Sequence, residues 1–243
     1  MRMLTFAKRT FKEILRDPLT LFFGLGFPGI LILLLSAIQQ NIPVSMFEIQ
    51  ALVPGITVFG LSFMTLFTAT LVAKDRESAF LQRLYATPMT ALDFILGYTL
   101  PILPIALIQS LFCYVIGIPF GLKITVNLLY ALVGIVPTSL FFIGLGLLFG
   151  SILTQKQAGG ICGALLTNLS AWLSGIWFDL ELVGGAFQKI ANLFPFAHAV
   201  NMEQALFQGN FHEILPDFLW VLGYCLLSIF LAVIFFLRQM KKG

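Results

Sequence analysis

The sequence predicts an all-α polytopic membrane protein, and three observations carry that expectation. Hydrophobic residues make up 59% of the 243 and charged residues only 10%, whereas about a quarter of a soluble domain is charged; too few polar side chains exist to cover a soluble core. Six runs contain no Asp, Glu, Lys or Arg: Leu19–Ile38, Ala51–Ala73, Phe94–Ile118, Val126–Leu153, Ala158–Phe178 and Phe218–Leu237. Each is long enough for the roughly 20 helical residues that cross about 30 Å of hydrocarbon. Alternating strands of about 10 residues, the mark of a membrane barrel, are absent. The whole chain, 1–243, reads as a single transmembrane domain.

The first element precedes the first span. Leu4, Ala7, Phe11 and Ile14 recur at helical spacing with Leu15 beside them, while Lys8, Arg9, Lys12, Glu13 and Arg16 take the other faces. That pattern predicts an amphipathic helix over residues 1–17 lying in the membrane interface, stopped by Asp17-Pro18. A bare insertion flank would not need the apolar stripe. No small-residue cleavage pattern follows the first span, which is therefore expected to be a retained helix.

Between the second and third spans lies the charged stretch 74–90, running from Lys74-Asp75-Arg76-Glu77 to Phe80-Leu81-Gln82-Arg83-Leu84 and closed by Thr87-Pro88. Lys74 to Tyr85 can form a short helix with Phe80, Leu81 and Leu84 on one side and Arg76, Glu77 and Arg83 on others. Such a helix makes a handle for a cytoplasmic partner, apolar knobs filling a groove while charges fix register; a solvated connector fits the composition too. Thr90-Ala91-Leu92-Asp93 resembles a capping box that opens the third span. Pro28, Pro54, Pro101, Pro104 and Pro137 predict kinks in the spans.

Gly146-x-x-x-Gly150 and Gly159-x-x-x-Gly163 bracket the hairpin between the fourth and fifth spans, where small residues allow close helix approach. The Ser62, Thr65 and Thr68 row is open to two uses: lining a path, or hydroxyls bonded back to their own helix. The last outer connection, 179–215, is too long and too apolar for a plain loop. Its stripes, Phe187-Ile190-Leu193-Phe194 and Val200-Leu206-Phe207, predict two short helices broken at Pro195, on or dipping into the outer leaflet as a lid or gate.

Orientation follows from the basic residues. With six spans both termini share a side, and all but Lys123 and Lys189 of the 14 Lys and Arg fall on it. Positive charge stays in the cytoplasm, so both termini are expected there.

The energy source is constrained by what is missing from the sequence. No phosphate loop of the Gly-x-x-x-x-Gly-Lys-Ser/Thr type occurs, nor any Gly-Lys pair, so ATP has no recognisable cradle here. Gradient-driven carriers place ionisable groups within spans; these spans carry neutral polars such as Gln109, Asn127 and Asn168. External ATP is favoured, with a gradient-driven secondary transporter as the alternative. Cys113, Cys162 and Cys225 sit singly in apolar spans and suggest no disulfide framework. His198, Glu203, His212 and Glu213 match no metal spacing, and Ser174-Gly175 lacks the residues expected before an intramembrane serine nucleophile.

Three segments carry a family resemblance. Arg76-Glu77, Leu81-Gln82-Arg83-Leu84 and Ala86-Thr87-Pro88 resemble the cytoplasmic loop of the membrane subunits of type-2 ABC transporters. The opening Phe11-Lys12-Glu13-Ile14-Leu15-Arg16-Asp17-Pro18 is similar, as is Phe194-Pro195-Phe196-Ala197-His198-Ala199-Val200 before the last span. Ala79 and Phe80 depart from the Gly and Thr usual in that loop.

The resemblance implies a non-catalytic permease subunit of an ATP-driven exporter. It would pair with a second copy or a homologous permease and dock on a separate nucleotide-binding ATPase subunit, which alone holds ATP and Mg; this chain would bind no cofactor, no metal and no nucleic acid. Arg76, Glu77, Phe80, Leu81, Arg83 and Leu84 would couple to the ATPase, Lys8, Lys12 and Arg16 would contact it through the N-terminal helix, and Pro195 and His198 would mark a gate. The setting implied is a plasma membrane, of bacterial type, and the exported substrate leaves no signature.

Overall fold

The computed structural model describes residues 2–42, 47–78, 80–81 and 90–240, and every regular element among them is helical. Helix α1 (Arg2–Leu15) is followed by α2 (Pro18–Gln39), α3 (Ile49–Glu77), α4 (Ala91–Gly117) and α5 (Asn127–Ile152). Helix α6 runs through Gln155–Gly160, a π turn at Ile161–Leu166 and Thr167–Leu173. The short α7 (Leu180–Val183) and α8 (Gly185–Leu193) then lead to α9 (Pro195–Gln208) and the last long helix, α10 (Ile214–Met240).

Among the described residues five helices are long and apolar enough to cross a membrane: α2, α3, α4, α5 and α10. The remaining expected span is α6. It is helical without interruption from Gln155 to Leu173, about 28 Å at 1.5 Å per residue, but its first turn is the polar Gln155-Lys156-Gln157. Pro54, Pro101, Pro104 and Pro137 lie inside continuous helices. Pro28 is preceded by a π turn at Phe22–Gly26, where Phe27 N–H bonds back to Phe22; the wider turn takes up the clash between a proline ring and the carbonyl of the turn before it.

Helix α3 is the axis of the bundle. Over its most apolar window 89% of residues are buried, against 33% for α2 and 22% for α10, so α3 is enclosed by the rest of the chain while α2 and α10 lie at its periphery. Its closest partner is α5, and glycine sets the distance. A Cβ on Gly146 would lie 2.4 Å from Thr68 Cβ and 2.8 Å from the Thr65 carbonyl oxygen; one on Gly150 would lie 2.8 Å from the Ala69 carbonyl oxygen. The first small-residue pair therefore packs α5 on α3 within the chain, whereas a Cβ on Gly159 would meet nothing. Thr65 and Thr68 of the hydroxyl row lie in the same seam, and Ser62, like them, is fully buried. Thr65 donates across it to the Phe142 carbonyl at 2.8 Å, and Thr68 donates to Met64 of its own helix.

Helix α1 packs against α4, burying Phe6, Ala7, Thr10 and Ile14. The face is rotated from the expected stripe, since Leu4, Phe11 and Leu15 are exposed, Leu4 at 61%. Both faces are apolar, but only one meets protein within the chain. Asp17 stops α1 and starts α2, accepting from the backbone N–H of Leu19 and Thr20.

Helices α8 and α9 are divided at Phe194-Pro195. Pro195 supplies the first turn of α9, where its missing N–H costs nothing. Helix α9 is wedged among α3, α5 and α10, with Phe196, Val200, Met202, Glu203 and Phe207 buried on several sides. It ends on Gly209, whose φ of 87° is a left-handed stop suited to glycine.

Candidate functional site

The charged end of α3 is a junction. Asp75 is 1% exposed, and a carboxylate so buried has to be paired. Arg9 supplies a two-pronged partner, its Nη1 donating to Oδ2 at 2.5 Å and its Nη2 to Oδ1 at 2.7 Å, and Tyr98 of α4 donates its hydroxyl to Oδ2 at 2.7 Å. Arg9 also pairs with Glu13 at 2.7 Å and stands 4.3 Å from the Phe80 ring centroid. Lys74 joins from α3, pairing with Glu13 at 2.8 Å. Burial alone would lower the Arg9 pKa; the hydrogen bond and charge of Asp75, with Glu13, reverse this and raise it above its ordinary value.

Each of the next two residues satisfies a helix end. Arg76 donates to the carbonyls of Ser151 and Leu153, where α5 ends. Glu77 accepts from the backbone N–H of Gln155, the first residue of α6, at 2.9 Å. A cation thus sits at a helix C-terminus and an anion at a helix N-terminus, the favourable sense for both macrodipoles. Four residues, 74–77, tie α3 to α1, α4, α5 and α6.

Below them the aromatic packing continues. Phe6 meets Tyr98 edge-on at 4.8 Å and lies 6.2 Å from Phe80; its ring leaves no room for a Cβ at Gly97. Phe80 is partly buried and Leu81 is 1% exposed. Of the coupling residues expected from the sequence, Arg76 and Glu77 thus bond within the chain, Phe80 and Leu81 pack against it, and Arg83 and Leu84 lie outside the described residues. Thr90 and Asp93 form the capping box at the start of α4, with Thr90 N–H donating to Asp93 Oδ2 at 2.9 Å. Lys8, Lys12 and Arg16 are exposed along α1.

Sequence reasoning did not single out Asp75, Arg9 or Tyr98. A carboxylate one residue past an apolar run is a signal that something must pair with it, but nothing local identifies Arg9, 66 positions away.

The other expected site is at the opposite end. His198 of α9 bonds through Nδ1 to Asp217 of α10 at 2.6 Å and through Nε2 to the Asn192 carbonyl of α8 at 2.9 Å, with Trp220 stacked at 5.2 Å. The hydrogen bond to Asp217 raises its pKa above the ordinary histidine value despite partial burial. Pro195, next to this clasp, is buried. Deeper in, Tyr114 of α4 donates to Glu203 Oε1 at 2.6 Å, and Glu203 is fully buried. The sequence reading had put Glu203 in an outer connection; α9 carries it into the bundle. Among the described residues no three His, Cys, Asp or Glu gather as a metal site.

Residues 1–207 match the family model of the ABC-2 type transporter. The chain belongs to the ABC-2 type transporter family. It is 28% identical over 194 residues to ABC transporter G family member 20 of Dictyostelium discoideum, covering 76% of this chain and 26% of that protein. It is also 24% identical over 170 residues to the Probable multidrug ABC transporter permease YbhR of Escherichia coli, covering 70% of this chain and 45% of that protein. This ABC-2 chain thus matches less than half the length of either relative, and those relatives are not confined to bacteria. It is a multi-pass membrane component of an ABC transporter, and the junction at the end of α3 lies within the matched region.

Proposed function

We propose that the chain is the non-catalytic permease subunit of an ATP-driven exporter. It pairs with a second copy or a homologous permease and is worked by a separate ATPase subunit that docks on the loop between α3 and α4. In this reading six helices cross the bilayer, α6 included, both termini are cytoplasmic, and the 179–215 segment faces outward. The observation that carries it is the Asp75–Arg9–Tyr98 junction with the Arg76 and Glu77 bonds beside it. A force applied at the loop enters α3 at the point where four other helices are attached, so the loop acts as the short arm of a lever on the bundle. The clasp at His198 holds α9 at the opposite end, where a gate would have to open.

The test is reconstitution in vesicles with the cognate ATPase, with a fluorescent cationic dye as first probe because one relative is named a probable multidrug permease. Dye export driven by ATP, with Asp75→Asn keeping the ATPase bound yet losing most export, supports the reading. Export by the chain alone on a proton or sodium gradient rejects it. That second reading, a gradient-driven carrier, is favoured by the buried Glu203, because a carboxylate in a bundle is where a coupling ion would bind.

A further inference from the structure

A groove of about 960 Å³ opens between α1 and the cytoplasmic half of α3. Lys8, Lys12 and Arg16 line it from one side and Lys74 from the other, with Leu71, Thr70 and Phe67 of α3 lining it one to two turns further along that helix. Its acidic groups are already engaged. Glu13 is shared between Arg9 and Lys74, and Asp17 caps α2 and accepts from the Thr20 hydroxyl at 2.8 Å. Among the described residues Lys8, Lys12 and Arg16 make no ion pair, so the rim carries uncompensated positive charge.

The groove is graded along its depth. From Lys74 to Phe67 is two turns of α3, roughly 10 Å, and over that distance the lining passes from the Lys74 ammonium group to Leu71, Thr70 and Phe67. The Thr70 hydroxyl is bonded back to its own helix, and the edges of Leu71 and Phe67 supply the apolar surface. A free anion needs the rim alone. A cytosolic protein reaches the rim but not a wall set two turns inside a spanning helix. A molecule with an anionic head and hydrocarbon tails meets both ends at once, in the leaflet where basic side chains attract such lipids.

We infer that this groove holds an anionic glycerophospholipid of the cytoplasmic leaflet, its phosphate among Lys8, Lys12 and Arg16 and its acyl chains along Phe67 and Leu71. The inference rests on α1 lying at the cytoplasmic surface, the reading given above. Failure of that reading would be seen separately, as labelling of Lys12→Cys from outside the cell, because lipid binding in detergent does not depend on sidedness.

The test titrates the purified chain in neutral detergent with dioleoylphosphatidylglycerol, dioleoylphosphatidylcholine or glycerol phosphate, following retained lipid by native mass spectrometry and unfolding temperature. The anionic lipid is expected to bind about tenfold or more tighter than the zwitterionic one, and glycerol phosphate to have no effect. Replacing the three cations together (K8Q, K12Q, R16Q) should abolish that preference without lowering the melting temperature in phosphatidylcholine. Thr70→Phe, which fills the wall and leaves charge alone, should weaken binding of the anionic lipid too; if it does not fold, the charge variant decides. Equal retention of both lipids, a preference surviving in the triple variant, or the same shift from glycerol phosphate overturns the inference. So does a folded Thr70→Phe chain that keeps the lipid while the triple variant loses capture of the ATPase, which would make the rim a protein-docking surface.

Discussion

Asp75 accepts from two residues that are remote from it in the chain, and this makes its chemistry testable one side chain at a time. Asp75→Asn keeps the shape but removes the charge that balances a half-buried guanidinium. Breaking a fully buried pair costs about 3–5 kcal/mol; with the Arg9 side chain 37% exposed, a loss of about 2–3 kcal/mol in detergent unfolding is expected. Tyr98→Phe, which removes a buried hydrogen bond to a charged group, should cost about 1.5–3 kcal/mol, and Lys74→Ala, which loosens an exposed pair, less than about 1 kcal/mol. His198 gives the opposite kind of test. Its folded pKa is raised, so its stabilisation is complete below the unfolded histidine value of about 6.5 and is lost as pH rises through the folded value. The gap in melting temperature between the native chain and His198→Gln should therefore narrow on going to alkaline pH, leaving what the neutral ring contributes by packing on Trp220; a gap that does not change with pH would remove the charged clasp from the account. Neither partnership was legible in the sequence, because Asp217 and Asp75 each find a partner only after the helices have packed.

Elements were more legible than their faces. The spans announce themselves by length and lack of charge, and Thr90, Asp93, Asp17 and Pro195 mark helix ends by chemistry that acts within one turn. Which side of a helix meets protein is another matter. In a bilayer lipid is as apolar as a protein core, so the Leu4, Phe11 and Leu15 stripe of α1 and its buried Phe6, Ala7 and Ile14 face look alike in periodicity. Helix α9 shows the same ambiguity: its apolar stripe predicts a short helix on or dipping into the outer leaflet, and its packing against α3, α5 and α10 becomes visible only in the structure. Glycine spacing did identify a protein contact, because only close backbone approach needs it. Gly146→Ala must push α5 away from a backbone carbonyl of α3 and is expected to cost about 1–3 kcal/mol. Gly159→Ala, facing open space, should be neutral or stabilising by up to about 1 kcal/mol. Equal effects of the two in thermal unfolding would show that the seam is softer than its geometry.

Across the whole molecule, the arrangement of charge predicts sidedness. The native cysteines are all buried, leaving a quiet background for single-cysteine labelling. A membrane-impermeant maleimide applied to intact cells is expected to modify Lys123→Cys and Lys189→Cys but not Lys12→Cys or Lys156→Cys, and the reverse pattern would invert the proposed lever. The overall class was readable because composition decides it; the working connections were not, because they run between α1, α3, α4, α5 and α6 at a single level of the bundle. One of them reaches further than its size suggests. Because Arg76 bonds the last carbonyls of α5 while Glu77 bonds the first amide of α6, opening the bend between those two helices would cost one or both of these contacts. Under the proposed lever, the hairpin would therefore turn with the tip of α3, and motion started by a single helix would arrive at three.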